Sequence, residues 1–276
     1  MINKIGLGTV QFGLNYGISN EKGITDLEEV RNIISYAKDI GIDLIDTAYG
    51  YGKSEEVLGS AGVNSFKIVT KFLPATPEIS IQQQINISLY RLNVQHLYGI
   101  LAHRPLDVLN NSAIWNYLLK LKQDKIVGKI GFSFNTPEEA DMVLGKGFIP
   151  DLIQVPFNYL DNRFQPFMIE LKKGGCEIHV RSPFLQGLFF VNPINLSDFF
   201  EEVKPIIIQL QKHGNILNGL LLKYCLEKSF IDKVIFGINN KEQLRLNIES
   251  IRTKESLPIH EYNIAHEILT PSNWPK

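Results

Sequence analysis

The chain has 276 residues, 44% of them hydrophobic and 21% charged, with a formal net charge of -1. This is ordinary globular composition, and the scattered basic residues argue against a nucleic-acid footprint or a polybasic membrane patch. The N-terminal MINKIGLGTVQFG has no apolar leader pattern, and no run approaches the ~18 to 20 apolar residues of a membrane span. Cys176 and Cys225 lack CxxC spacing and read as reduced, buried thiols of a cytoplasmic protein. The length suits one large α/β barrel, although a two-domain split is open on length alone.

Short apolar strands alternate with helical patterns along the chain. After IGLGTV, the stretch TDLEEVRNIISYAKDIG has capping-box spacing at Thr25 and Glu28 and an apolar stripe at Val30, Ile33, Ile34 and Ala37. GIDLID reads as a strand, and SEEVLGSAG as a short helix capped by Ser54. FKIVT, LYGILAH and KIGFS read as strands, followed in turn by the helical ISIQQQINISLYRLN, SAIWNYLLKLKQD and TPEEADMVLGKG. In the last of these, Thr136, Pro137 and Glu139 mark a capped start. DLIQVP and CEIHVRS are strands, with helices near FQPFMIELKKGG and from about Asp198 to Lys228. KVIFG is the last strand and NKEQLRLNIES the last helix. Eight strand–helix units favour a (β/α)8 TIM barrel, expected as a single domain over 1–276 with 253–276 a tail near the barrel mouth. A doubly wound sheet is the competing architecture, but GLGTVQFG lacks GxGxxG spacing and has no helix directly behind it.

In such barrels the chemistry sits at the C-terminal strand ends. Those ends carry Gly8-Thr9, Asp46, Lys71, His103, Ser133, Gln154, Arg181-Ser182 and Gly237. Asp46, Lys71 and His103 end three consecutive strands, and Tyr51 lies in the loop just beyond Asp46. A phenol is a poor proton donor at neutral pH, but a nearby ammonium favours the phenolate. A buried Lys71 needs a counter-charge, which Asp46 supplies. A neutral His103 can orient a carbonyl oxygen. The set describes protonation of a carbonyl that receives electrons from a cofactor, because no side chain delivers hydride. Each residue also has a structural reading: Asp46 as a loop cap, Tyr49 and Tyr51 as packing aromatics, Lys71 as a solvated strand end, His103 as a satisfied histidine. Their gathering at one end of consecutive strands favours the chemical one.

The segments DTAYGYGKSEEVLG, IVTK, LAHRP, KIGFS, LIQVPFNYLD, RSPFLQGL and VIFGINNKEQLRLNIES resemble the aldo-keto reductases along nearly the whole chain. The resemblance implies a catalytic tetrad of Asp46, Tyr51, Lys71 and His103, with Tyr51 as general acid. It implies an extended nicotinamide dinucleotide, NADP(H) in preference to NAD(H). The implied cofactor residues are Gly8, Thr9, Val10 and Asp46, then Ser133 and Gln154. They continue with Arg181, Ser182, Pro183, Phe184, Leu185 and Gly187, and end with Gly237, Asn239, Gln243 and Asn247. The chain departs from the family pattern in three places: Phe134 replaces an Asn, Arg181 replaces a stacking aromatic, and Asn239-Asn240 replace a 2'-phosphate-binding Lys or Arg. Lys241 or Arg245 is the expected compensation. Arg181 would repel a cationic oxidised ring and so favour the reduced cofactor.

The expected substrate is a small carbonyl compound, with an open mouth suiting a sugar-like aldehyde or ketone and with Phe12, Tyr159 and Trp274 as candidate pocket residues. No nucleic-acid or membrane partner is expected, and the assembly is a monomer or small homo-oligomer. A different class stays open, a catalytically weak cofactor-binding barrel that senses redox state or holds a partner. A metal-dependent hydrolase is disfavoured and no metal is expected. HxH and HxxxH pairs are missing, and His260 and His266 lie in the tail.

Overall fold

The computed structural model describes residues 1–20, 22–259 and 262–275, so His260 lies outside the described residues. Eight strands run β1 (Ile5–Gly8), β2 (Leu44–Asp46), β3 (Lys67–Phe72), β4 (Leu97–Ala102), β5 (Val127–Ser133), β6 (Leu152–Pro156), β7 (Glu177–Arg181) and β8 (Lys233–Gly237). They close into a barrel in sequence order, every neighbouring pair parallel. The chain is therefore a (β/α)8 barrel, as its alternation of elements requires.

The helices outside it are α1 (Leu27–Asp39), α2 (Ser54–Ala61), α3 (Ile81–Leu92), α4 (Pro105–Asn110), α5 (Ala113–Gln123), α6 (Pro137–Leu144), α7 (Gln165–Lys173), α8 (Lys204–Gln211), α9 (Leu217–Leu226), α10 (Lys241–Ser250) and α11 (His266–Leu269). Several starts differ from expectation. Asp26, not Thr25, caps α1 by accepting the Glu29 N–H at 2.9 Å. The Thr25 hydroxyl instead donates to the Asn239 carbonyl, tying the loop after β1 to the loop after β8. Ser54 is the first residue of α2 rather than its cap, and its hydroxyl bonds Thr9 and Thr47. Thr136 does cap α6. The stretch 198–228 is not one helix, because Pro205 is tolerated only in a first turn and Gly214 takes a positive φ of 56°. The stretch after His103 holds the extra short helix α4, with Pro105 at its start.

Inside the barrel Leu44, Val69, Leu101, Leu152 and Ile235, one from each of five strands, form a separate apolar cluster. Strand periodicity then directs the residue two positions later into the barrel as well. For these strands that residue is Asp46, Lys71, His103, Gln154 and Gly237. The outer core lies between sheet and helices. Beneath the interior cluster, Glu177 accepts from the Tyr98 hydroxyl at 2.6 Å, from His179 at 2.7 Å and from Lys129.

Burial alone would raise the Glu177 carboxyl, but hydrogen bonds from His179, Lys129 and Tyr98 outweigh it and hold it well below the usual carboxylate range. A depressed folded-state pKa stabilises fully above the ordinary carboxylate value, and that stability drains away as pH falls through and below it. Thermal melts should therefore show the wild type losing more Tm than Glu177→Gln between pH 7 and pH 4. At pH 7 the variant should be about 2 kcal/mol less stable, the cost of buried donors left underused. Parallel acid profiles would contradict this role.

Candidate active site

Lys71 donates to Asp46 Oδ1 at 2.6 Å and to the Thr47 carbonyl at 2.8 Å. The side chains of this ion pair are 0% and 5% exposed. Asp46 Oδ2 accepts from Gln154 Nε2 at 2.7 Å, so both carboxylate oxygens are engaged. The Asp46 carbonyl accepts the Thr9 N–H and hydroxyl, which fixes the end of β1 against β2. The Lys71 ammonium lies 5.2 Å from the centroid of the Tyr51 ring. Tyr51 and His103 meet edge to face, with centroids 5.7 Å apart and planes at 80°. Asp46, Lys71 and His103 at the strand ends and Tyr51 in the loop after β2 are thus brought together. Tyr49 packs instead against the Arg91 guanidinium.

The loop carrying Tyr51 is pressed onto the loop after β1. A Cβ on Gly13 would sit 1.9 Å from the Tyr51 carbonyl, and one on Gly52, at φ 58°, would sit 2.5 Å from the Gly13 carbonyl. Only glycine allows that approach. It sets the phenol above Lys71.

Burial, then the charges of Lys71, Arg181 and Arg104, pull the His103 pKa down to about 3. The imidazole is therefore neutral at physiological pH, with one N–H and one lone pair to offer. Its Nδ1 is buried without a hydrogen-bond partner among the described residues.

Tyr51 and His103 open into a cleft of about 1330 Å³ at the C-terminal mouth. Every residue expected to hold the cofactor lines that cleft except Ser133, which is buried beside Gln154 in register on β5. The segment after β7 is strained: Ser182, Leu185 and Gln186 have φ of 61°, 44° and 53°, unusual for residues with a Cβ. Such strain collects at functional sites. The Gln186 carbonyl accepts the Ile18 N–H at 3.1 Å, and its side chain donates to the Tyr16 hydroxyl at 2.7 Å. These contacts strap the loop after β1 across the cleft.

Residues 4–269 match the Aldo/keto reductase family. The chain belongs to that family. It is 29% identical over 238 residues to an uncharacterized oxidoreductase of Mycobacterium tuberculosis, covering 76% of this chain and 71% of the relative. It is 26% identical over 216 residues to an aldo-keto reductase of the same organism, covering 73% and 75%. An aldo-keto reductase of Bacillus halodurans in its holo form shares the fold, with a TM-score of 0.72 at 20% identity over 92% of this chain and 88% of that one.

Aldo/keto reductases use nicotinamide cofactors, and the polar groups here fit one. Gln154 spends its amide N–H on Asp46 and leaves Oε1 buried with no partner among the described residues, an acceptor suited to a carboxamide N–H. Gln11 Oε1 is also buried without a partner among the described residues, and the Gln11 side chain occupies the space a Cβ on Gly237 would fill. Asn240 caps α10 by accepting the Gln243 N–H at 2.8 Å, and Asn239 donates its backbone N–H to Gln243 Oε1 at 2.7 Å. Asn218 donates to Asn247 at 2.7 Å.

The two residues expected to compensate at the adenosine end make other contacts here. Arg245 is held by Glu242 and Glu249, and Lys241 lies over the Tyr36 ring. Both charges are spent on the outer surface of the helix region, and neither lines the cleft.

Other expectations also need correcting. Phe12, Tyr159 and Trp274 are core residues rather than pocket residues. The Tyr159 hydroxyl donates to the Pro258 carbonyl and Trp274 Nε1 to the Ile268 carbonyl. The aromatics that line the cleft beside Tyr51 are Tyr16, Phe184, Phe190 and Phe236, and the tail contributes His266 and 269–273 to its wall. Phe134 is fully buried and stacks on Phe132. The amide comes one residue later, from Asn135, whose Oδ1 accepts Arg181 Nη2 at 2.7 Å. Gln11, Tyr16 and Asn135 lie in loops just past strand ends, where periodicity gives no direction to a side chain.

Because His103 titrates far below neutrality, its ring Cε1 resonance should not shift between pH 5 and pH 8 in an NMR titration. A midpoint near the ordinary ~6.5 would show the imidazole is neither desolvated nor flanked by these cations.

Proposed function

We propose that the protein reduces an aldehyde or ketone to an alcohol, with an NAD(P)H cofactor and Tyr51 as general acid. The observation that supports this most is the buried Lys71–Asp46 pair set 5.2 Å from the Tyr51 ring. Ser133 and Gln154 would hold the carboxamide. Arg181, Ser182, Pro183, Phe184, Leu185 and Gly187 would border the nicotinamide and pyrophosphate, with Gly8, Thr9 and Val10 beneath. Gly237, Asn239, Gln243 and Asn247 would hold the adenosine end. When bound, the dihydronicotinamide supplies hydride to the carbonyl carbon.

Tyr51 gives its proton to the carbonyl oxygen as charge develops there. Lys71 stabilises the negative phenolic oxygen left behind, and Asp46 holds the ammonium in place. Neutral His103 donates an N–H to the same carbonyl oxygen and fixes its direction. Burial of the pair keeps these charges out of high dielectric, where their influence on Tyr51 would fade.

Replacing Tyr51 by Phe removes the proton but keeps the ring. Turnover of a reactive aldehyde should fall by about 10²- to 10⁴-fold, with dinucleotide affinity held within about twofold. Retained turnover would sink the assignment.

The family favours NADP(H), but the adenosine end as built presents Asn239, Gln243 and Asn247, which are neutral donors. A 2'-phosphate gains most from charged donors. Calorimetric titration should therefore give Kd values for NADPH and NADH within about tenfold of each other, since one charge-assisted bond is missing. A preference of a thousandfold for NADPH would contradict this reading of Arg245 and Lys241.

A further inference from the structure

The cleft carries more positive charge than the proposed chemistry uses. Its described lining includes the guanidiniums of Arg104, Arg163 and Arg181, whereas Asp46 is the one carboxylate among those residues. Asp46 is already committed to Lys71 and Gln154 through both oxygens.

The three arginines differ in how far they are satisfied. Arg181 is pinned, donating to the Phe134 carbonyl at 3.2 Å and to Asn135 at 2.7 Å. Arg163 gives Nε and Nη2 to Asp161, both at 2.9 Å, and its side chain is 13% exposed. Its Nη1 is buried with no partner among the described residues. Arg104 directly follows His103 and is exposed at the start of α4. Its guanidinium makes no hydrogen bond or ion pair with any described residue. An unpaired donor on a buried guanidinium is costly, and charge left open beside a reaction centre invites an anion.

Position separates this charge from the cofactor. Arg104 directly follows His103 after β4 and Arg163 lies beyond β6, and both line the same cleft. The cofactor's phosphates are assigned above to the loops after β7 and β8. Arg104 and Arg181 lie close enough to His103 for their charges to act on its imidazole. Of the two, Arg181 is already engaged by Phe134 and Asn135, so an anionic group a few bonds from a carbonyl held by Tyr51 and His103 would find the open guanidinium on Arg104.

Resting on the reductase reading, we propose that the natural substrate is a carbonyl compound bearing a carboxylate or phosphate, recognised by Arg104 and by Nη1 of Arg163. This makes Arg104 a specificity-determining residue. A neutral sugar-like carbonyl would leave the Arg104 guanidinium and Nη1 of Arg163 without a partner among the described residues. The Asp161–Arg163 pair then serves to aim Nη1, in the way a bidentate carboxylate fixes a guanidinium plane.

The test measures kcat/KM with NADPH and with NADH for two matched pairs, 4-oxobutanoate against its methyl ester and glyceraldehyde 3-phosphate against glyceraldehyde. At least one anionic member should exceed its neutral counterpart by about tenfold or more, the effect of one charge-assisted hydrogen bond. Which pair shows the gap distinguishes carboxylate from phosphate. In Arg104→Gln that ratio should fall toward one, and in the wild type it should shrink as salt is raised. Turnover of the neutral members with no anionic preference, or a preference untouched by Arg104→Gln, would overturn the inference and leave the reductase reading standing. No turnover of any of the four with either cofactor would remove the reductase reading and the inference with it.

Discussion

The site depends on one buried ion pair. Lys71 and Asp46 face each other at 2.6 Å with almost no solvent on either side chain. Either charge alone in that place would cost several kcal/mol, so neither is tolerable without the other. The pair is satisfied because Gln154 and the Thr47 carbonyl take up the remaining hydrogen-bonding capacity. Asp46 comes from β2, Lys71 from β3 and Gln154 from β6, so the arrangement exists only once the barrel has closed. Barrel closure and the assembly of this site therefore go together.

Closure also explains why the interior is layered. Five apolar side chains fill the waist of the barrel. Below them the cluster around Glu177 takes up the charges of Lys129 and the donors of Tyr98 and His179. Above them the next inward residue on each strand belongs to the site. The apolar layer isolates the two polar ones, so the lower cluster serves stability and the upper one is free to serve chemistry. The loops at the upper mouth then set what enters. Arg104 after β4, Asn135 after β5 and Tyr16 after β1 give this barrel a wall that the family's tetrad alone does not specify.

Much of this was legible in the sequence for a physical reason. A strand repeats every two residues, so Leu44, Val69, Leu101 and Leu152 point the same way as Asp46, Lys71, His103 and Gln154. Once eight strand–helix units are counted, the strand ends converge on one mouth. The approach of the Tyr51 loop was foreshadowed by its glycines, of which Gly52 makes the close contact with Gly13. What failed to show lay where periodicity stops. Phe134, where the family pattern has an amide, continues the alternation into the outer core, and the cleft is lined instead by Asn135. Phe12 and Trp274 look like pocket aromatics by sequence position, but their burial is decided by distant packing, Trp274 against Phe200 in the outer core. The fates of Lys241 and Arg245 turned on local glutamates and a tyrosine rather than on any cofactor motif.

The most direct test of the account is a double-mutant cycle across the buried pair, with Asp46→Asn, Lys71→Met and the two combined. Thermal stability and aldehyde reduction would be followed together. If the pair is the keystone, the double variant should be no less stable than the worse single variant, and the losses in kcat/KM should overlap rather than multiply, since each single change already strands its partner. Effects that add to within about 0.5 kcal/mol would mean that Asp46 and Lys71 act independently, and the central claim would fall.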